Sequence, residues 1–439
     1  MGHKYKGSTP LAIARANKKW EWLGWWPTIN AFIILAYYSM ILSWALKYLT
    51  LSFTKGWGND TNSYFYNDFL QSSSSAFEFG YIIWPILIGI AILWAVNWFI
   101  CYKGVKGGIE KLNKVLLPLL IVIMIIIVIR GVTLEGATIG LNKLFTPDWS
   151  KMLEPQVWIA AYGQVFFSLS VGMGIMMTFS SYLPKKSDIN NSAFMTAFAN
   201  CGFEFLCAIG VFGILGFMAS SQGLPFEEVV SGGIGLAFIV FPKVFGLMGV
   251  WGTILGVLFF TCLVFAGLTS SVSLVEAVSS AVIDKTGWER KKVVSLICGL
   301  GFIVSIAFAT RAGLYLLDII DNFVNNYGIV VIGLLEAFVI GWIIKPETIR
   351  KHTNSVSYYS IGKWWDITIK YITPTILAIM LISSIVTEIK TPYGGYSTAE
   401  LITYGWAIVG IGIIGALLVS KMPWKNKDIT GFDNESEVA

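Results

Sequence analysis

Ten apolar stretches, each long enough to cross a bilayer, follow one another along this chain of 439 residues. A membrane-spanning helix needs about 20 apolar residues. Only 13% of the residues are charged and 55% are apolar, whereas soluble domains carry about 25% charged residues. The chain is therefore predicted to be an all-α polytopic membrane protein. The predicted spans are 25–49, 80–101, 112–134, 157–182, 191–219, 246–283, 292–309, 313–343, 367–389 and 400–421.

Lysine and arginine are distributed unevenly between the two sides of these spans. If the N-terminus is cytoplasmic, 23 of the 31 basic residues lie on the cytoplasmic side. Such a bias indicates the cytoplasmic face of a membrane protein. We predict a plasma-membrane protein with both termini cytoplasmic, one transmembrane domain over residues 1–422 and a polar cytoplasmic tail over 423–439. The net charge of +5 follows from this topology and does not indicate a nucleic-acid partner.

Two further features of the chain limit its possible functions and its possible organisation. The spans contain no nucleophile–base pair or metal-ligand spacing, and the two histidines, His3 and His352, lie in predicted cytoplasmic segments. The chain is therefore predicted not to be an enzyme. Residues 7–19 are basic and amphipathic, and this pattern predicts a short helix lying on the inner membrane surface.

The fourth predicted span contains a segment that disfavours a continuous helix. Residues 164–174 read QVFFSLSVGMG, and Ser168, Ser170, Gly172 and Gly174 are weak helix formers. A helix that breaks in lipid frees backbone groups, which only protein, water or a bound solute can satisfy. The segment therefore predicts a break at membrane depth with a binding site beside it.

Asn200 and Glu204 are four residues apart in the next span, so they share one helix face. Charged groups at this depth need a partner or a purpose. Together they could supply oxygen ligands and negative charge to a cation. Alternatively, Asn200 hydrogen-bonds a neighbouring helix and Glu204 is protonated. In the sixth span Thr269 and Ser270 could coordinate a small cation with the Ala266 carbonyl, or could simply pack between helices.

Two other places carry polar groups inside the spans. Tyr37 and Tyr38 lie in the middle of the first span, and one hydroxyl needs a partner, either a substrate carboxylate or a backbone carbonyl. Asp321 lies in the eighth span, where we expect a cationic partner that the spans do not obviously provide. Gly108 precedes the third span and Pro118 lies inside it, which predicts either a helix start that unwinds readily or an ordinary loop and kink.

Three segments together resemble one known family. They are 158–174 (WIAAYGQVFFSLSVGMG), 265–271 (FAGLTSS), and Tyr37-Tyr38 followed by Ser43-Trp44. They strongly resemble the neurotransmitter:sodium symporter family, in particular its bacterial amino-acid transporters such as the leucine transporter, and the likeness covers nearly the whole chain. The resemblance implies a transporter fold of two inverted five-helix repeats. It also implies alternating access, Na⁺ as the coupling ion and a small neutral amino acid as substrate.

The resemblance also implies roles for individual residues. Tyr38 would bind the substrate carboxylate, and Phe167 would be a lid above the substrate. The remaining substrate contacts would be Ile34, Ser168, Ser170, Met173 and Leu274. One sodium ion would be held with the help of Ser168 and Asn200, and the second with the help of Ala266, Thr269 and Ser270.

Further roles follow from the same likeness. Gln164 and Asp321 would belong to an outer gate, and Gly108 and Pro118 to an element that unwinds for inward release of sodium. Glu204 would stand in for chloride, so that chloride is not required. Met173 and Leu274 favour an apolar substrate side chain, while the sequence does not indicate which amino acid is bound or the oligomeric state.

Family members have twelve helices, and about ten of them correspond to this chain. Residues 1–7 resemble the cytoplasmic end of the second helix, and the family's first broken helix has no counterpart after Met1. We therefore expect a truncated symporter sequence with incomplete ion and substrate sites, unable to perform coupled uptake alone. The alternative is a non-transporting membrane scaffold or the larger part of a split transporter.

Overall fold

The structure, a computed structural model, describes residues 1–230 and 232–425. This part of the chain is built from helices and contains one isolated β-bridge, between Ile82 and Thr310. The helices that position the site are numbered α1 to α16 in chain order. They are α1 Gly2–Tyr5, α2 Thr9–Ala16, α3 Lys18–Ser52, α4 Trp84–Tyr102, α5 Val105–Val132, α6 Ala137–Phe145, α7 Pro155–Ser168, α8 Ile175–Ser181, α9 Ile189–Gln222, α10 Gly233–Leu247, α11 Gly249–Thr286, α12 Arg290–Ala309, α13 Gly313–Ile344, α14 Pro346–Val356, α15 Lys363–Gly395 and α16 Thr398–Lys421.

Nine helices in the described residues are long and apolar enough to cross a membrane. They are α3, α4, α5, α9, α11, α12, α13, α15 and α16. The remaining predicted span, 157–182, is divided between α7 and α8. The prediction of an all-α polytopic membrane protein is confirmed. Most of the predicted tail, residues 426–439, lies outside the described residues.

Helix α3 occupies the centre of the bundle. It contacts α2, α4, α11, α12 and α16. In its most apolar 18-residue segment, 67% of the residues are buried inside the protein, against 11% in the corresponding segment of α15. A helix that is apolar on all sides can be covered by protein or by lipid. The hydropathy of the two helices is nearly equal, so only the tertiary structure shows that α3 is central and α15 peripheral.

The prediction of a surface helix over residues 7–19 is wrong. Helix α2 is buried from Thr9 to Ala14 and packs against α3. The contact is close, because a Cβ on Gly24 would lie 2.4 Å from the Pro10 Cα. An amphipathic pattern shows that a helix has an apolar face, but not whether protein or lipid covers that face.

A pair of histidines joins the N-terminal helix α1 to α14. His3 Nε2 donates to the Pro184 carbonyl at 2.9 Å, and His3 Nδ1 lies 3.0 Å from His352 Nε2. Since a carbonyl can only accept, neutral His3 accepts at Nδ1 from His352. Burial lowers the pKa of His352 to about 4, with contributions from His3 and Lys4, and burial also lowers the pKa of His3.

Acidification is therefore expected to destabilise the fold through His352. Its pKa falls from the ordinary 6.5 to about 4 on folding, so the unfolded chain binds the proton more readily. The stability is fully present above pH 6.5 and decreases as the pH falls toward 4, by about 1–2 kcal/mol for a partly exposed group. Thermal unfolding at pH 7 and pH 4.5 measures this loss. In His352→Gln the loss should be smaller, and an identical loss in the two proteins would contradict the assignment.

Candidate functional site

The predicted helix break is present between α7 and α8. Helix α7 ends at Ser168 and α8 begins at Ile175. In the intervening segment Ser170, Gly172 and Gly174 have φ of 53°, 74° and 72°. Glycine adopts this conformation readily, while serine does so infrequently. The serine and glycine composition of 164–174 therefore predicted the discontinuity correctly.

The break is held by two neighbouring helices. The hydroxyl of Thr9, on α2, donates at 2.8 Å to the Gly174 carbonyl, which also accepts from the Thr178 backbone nitrogen at 3.1 Å. On the other side Gly172 faces α13, where an added Cβ would lie 3.0 Å from Ile329 Cγ2. The role of Thr9 was not predicted, because nothing in the local sequence links a hydroxyl to a carbonyl 165 residues away.

Gly174→Ala is expected to lower the free energy of unfolding by about 1–3 kcal/mol. The new Cβ would force an unfavourable φ of 72° and would lie 2.7 Å from Thr9 Oγ1. Gly223→Ala is the matched control, since its φ is 64° but no atom lies within 4 Å of the new Cβ. Thermal unfolding should show a larger shift for Gly174→Ala. Equal shifts would show that the contact with Thr9 contributes nothing.

A first oxygen cluster lies at the end of α7, the first half of the broken helix. The Asn200 amide nitrogen, on α9, donates to Ser168 Oγ at 3.1 Å and to Glu204 Oε1 at 3.0 Å. The interhelical hydrogen bond that we considered is therefore present, and it also brings a carboxyl group close to Ser168. Both bonds use the side-chain nitrogen of Asn200, so the side-chain oxygen, Oδ1, takes part in neither and could face a cation. Oxygen ligands of this kind suit hard cations.

A second oxygen cluster lies on α11. Thr269 Oγ1 and Ser270 Oγ donate to the Ala266 carbonyl at 2.8 Å and 3.2 Å. Because the hydroxyl protons point toward Ala266, oxygen lone pairs remain for another ligand. The Tyr38 hydroxyl of α3 lies alongside, 3.3 Å from where a Cβ on Gly267 would be. The structure therefore brings Tyr38 to this cluster.

Asp321 has a different partner from the one expected. Its Oδ1 accepts from the Tyr37 hydroxyl at 2.6 Å and from Asn325 Nδ2 at 2.8 Å. We expected a cation here, and for the tyrosine pair a substrate carboxylate or a backbone carbonyl. The partner of Tyr37 is instead a carboxyl group of the protein. Gln164 is exposed and, among the described residues, shares no hydrogen bond with Asp321.

The other predicted site residues divide into buried and exposed groups. Ile34, Met173 and Leu274 are buried in one hydrophobic core. Phe167 is 49% exposed, and Ser170 is partly exposed within the break. The predicted apolar pocket residues therefore share one core, whereas the predicted lid does not cover them in this conformation.

The predicted unwinding element begins with irregular helix. Gly108 lies in a π-helical turn, Val105–Glu110, at the start of α5. A Cβ on Gly108 would lie 2.0 Å from the Ile100 carbonyl oxygen, so this close approach requires glycine. Pro118 lies inside α5 and removes one backbone donor. The start of α5 is thus an irregular helix, and its role in unwinding stays a prediction.

Glu276 is a second polar group whose role was not predicted. This carboxylate is fully buried on α11 and accepts from the Tyr182 hydroxyl at 2.6 Å and from Arg290 Nη1 at 2.9 Å. It ties the end of the broken helix to α11 and α12. A glutamate inside an apolar span is itself a signal of a polar contact, but its partners are not visible in the sequence.

This geometry defines a class of protein. A polytopic helical bundle with a discontinuous helix, flanked at its break by hydroxyl, amide and carboxyl oxygens, is typical of membrane transporters. Residues 58–425 match the sequence profile of the sodium:neurotransmitter symporter family. The chain belongs to this family of sodium-dependent transporters and is a multi-pass membrane protein.

Three similar proteins come from organisms that are only distantly related to one another. An uncharacterised sodium-dependent transporter of Methanocaldococcus jannaschii is 39% identical over 422 residues, covering 96% of this chain and 86% of that protein. An uncharacterised sodium-dependent transporter of Haemophilus influenzae is 32% identical over 386 residues, or 84% of this chain and 80% of that protein. The sodium- and chloride-dependent taurine transporter of the dog is 27% identical over 372 residues, 83% of this chain and 59% of that protein.

Proposed function

We propose a function in sodium-coupled symport of a small neutral amino acid by alternating access. The observation that carries the proposal is the broken helix α7–α8 with the Ser168–Asn200–Glu204 cluster beside it. Family membership supports sodium coupling. The nature of the substrate rests on the resemblance and on the apolar side chains assigned to the pocket.

Each oxygen cluster would bind one sodium ion. The Asn200 carbonyl and the Ser168 hydroxyl would hold the first ion, next to the Glu204 carboxyl group. The Ala266 carbonyl with Thr269 and Ser270 would hold the second. Small hard cations prefer such neutral and anionic oxygens, and freed backbone at a broken helix adds carbonyl ligands.

The amino acid would bind between the same elements. Tyr38 would donate its hydroxyl to the substrate carboxylate, and Ser168 and Ser170 would offer hydrogen bonds near the break. Ile34, Met173 and Leu274 would contact the substrate side chain and favour an apolar one. Phe167 would close over the substrate once it is bound.

Opening and closing would occur at the two ends of the bundle. Asp321 and Gln164 would gate the outer side, where movement of α7 would bring Gln164 toward the Tyr37–Asp321 pair. The irregular helix start at Gly108, with Pro118, would unwind to release sodium on the lysine-rich side. That side is cytoplasmic in the proposed topology, with both termini inside and a single transmembrane domain over 1–422.

Glu204 would make chloride unnecessary. A fixed negative charge 3.0 Å from Asn200 Nδ2 can balance the charge of bound sodium without a soluble anion. The dog relative is named as chloride-dependent, so chloride dependence is a point on which this chain is proposed to differ.

The test is uptake of a panel of labelled amino acids into vesicles. The protein is expressed from its gene with the natural upstream sequence, purified and reconstituted, and uptake is compared in inward sodium and potassium gradients. We expect sodium-dependent uptake of at least one neutral apolar amino acid. We also expect no loss when gluconate replaces chloride, and a chloride requirement in Glu204→Gln. Absence of sodium-dependent uptake across the panel would favour the scaffold alternative.

A further inference from the structure

A groove of about 300 Å³ lies between the membrane-spanning helices α4 and α12. Buried Trp94 and Cys298 form its floor, and small lining residues leave it open at the outer surface of the helix bundle. A Cβ on Gly299 would have no atom within 4 Å. The other lining residues are Ala91, Ala95, Trp98, Ser295 and Phe302. Because both helices cross the bilayer, the groove opens onto lipid tails.

One end of the groove is basic. Lys291 precedes Ser295 and Gly299 by four and eight residues, so the three share a face of α12. Its Nζ lies 5.1 Å from the ring centroid of Tyr102, which ends the facing α4. Lys103 follows at once, with its Nζ 3.9 Å from the Phe99 ring centroid. Lys291 therefore lies at one end of the groove, and Lys103 lies at the same end of α4, beside Phe99.

These lysines are available to a ligand of negative charge. Within the part of the chain that the structure describes, neither Lys103 nor Lys291 forms an ion pair with a carboxylate. Neighbouring Arg290, in contrast, is paired with Glu276. Glu289 is exposed and lies two residues from Lys291. Lys292 adds a further positive charge at this end of α12.

We propose that the groove binds one anionic phospholipid from the leaflet on the lysine-rich side. One acyl chain lies against Trp94, Gly299 and Phe302, and the phosphate lies between Lys103 and Lys291. Basic pockets between membrane helices recognise anionic headgroups, and Trp98 and Tyr102 are residue types enriched at the headgroup level.

The experiment is native mass spectrometry of the purified protein with added lipid. Phosphatidylglycerol is the anionic probe, and phosphatidylcholine of the same acyl chains is the neutral one. We expect one tightly bound phosphatidylglycerol per protein and weaker binding of phosphatidylcholine. Gly299→Leu fills the groove and should weaken phosphatidylglycerol binding about tenfold. Lys103→Gln and Lys291→Gln should each weaken it about fivefold, without affecting phosphatidylcholine.

Matched controls separate this site from general lipid binding. Gly410→Leu adds the same side chain on α16, where a Cβ also meets no atom within 4 Å, and Lys421→Gln removes a lysine at the end of α16. Both should bind phosphatidylglycerol like the parent. If Gly299→Leu does not fold, Lys103→Gln and Lys291→Gln, which replace exposed residues, are sufficient to test the proposal. Unchanged binding in the lysine variants, equal losses in the controls, or a dimer that Gly299→Leu abolishes would overturn the proposal.

Discussion

Replacement of Lys285 by methionine is expected to lower the free energy of unfolding by about 3–5 kcal/mol. Lys285 Nζ lies 2.5 Å from Glu21 Oε1, and the two side chains are only 4% and 3% exposed. The same carboxylate accepts from Trp25 Nε1 at 3.1 Å and from Trp424 Nε1 at 3.0 Å. Without Lys285 the carboxylate keeps two indole donors but loses its counterion, and a buried uncompensated charge is very costly.

A double variant and a surface control test this explanation. Glu21→Gln combined with Lys285→Met removes both charges of the pair and should recover most of the lost stability. Lys351→Met removes the lysine of an exposed pair, whose side chains are 72% and 54% exposed, and should change stability by less than about 1 kcal/mol. Thermal unfolding in detergent measures all three variants. A shift for Lys285→Met no larger than that for Lys351→Met would refute the prediction.

The position of this pair explains why its effect should be large. Glu21 lies at the start of the central helix α3, Lys285 near the end of α11, and Trp424 beyond the end of α16. Lys285 Nζ also lies 4.4 Å from the Trp424 ring centroid. One charge pair therefore joins three parts of the bundle at one end.

Replacement of Asn200 by alanine is expected to raise the sodium concentration for half-maximal uptake at least tenfold. The change removes the proposed carbonyl ligand, and it also removes the donor that holds Ser168 and Glu204. A tenfold change corresponds to about 1.4 kcal/mol of binding free energy, which is modest for an ion ligand. Thr269→Ala should have a similar effect through the second proposed sodium site.

The measurement is sodium-dependent uptake in the reconstituted protein. Asn191→Ala is the control, because it removes the same side chain from the first turn of the same helix α9, away from the break. Its half-maximal sodium concentration should equal that of the parent. If sodium dependence is unchanged in both Asn200→Ala and Thr269→Ala, these residues do not belong to the ion sites.

Much of the architecture could be predicted because its causes are local. Span lengths follow from bilayer thickness, and the break at 164–174 follows from serine and glycine propensities within seven residues. The pairing of Asn200 with Glu204 follows from helix geometry. In each case the residues that decide the structure are close together in the chain. The roles assigned to them in binding remain predictions.

The partners of these groups were decided by tertiary structure alone. Thr9 meets Gly174 across 165 residues, Tyr37 meets Asp321 across 284, and Trp424 meets Glu21 across 403. The sequence shows that a polar group in lipid must be satisfied, because an unmet hydrogen bond there costs several kcal/mol. It does not show which distant group satisfies it, since that depends on how the helices pack. By itself, then, the sequence determined the class of fold and the place of the break, and packing decided what holds the break and which faces remain open to ligand or lipid.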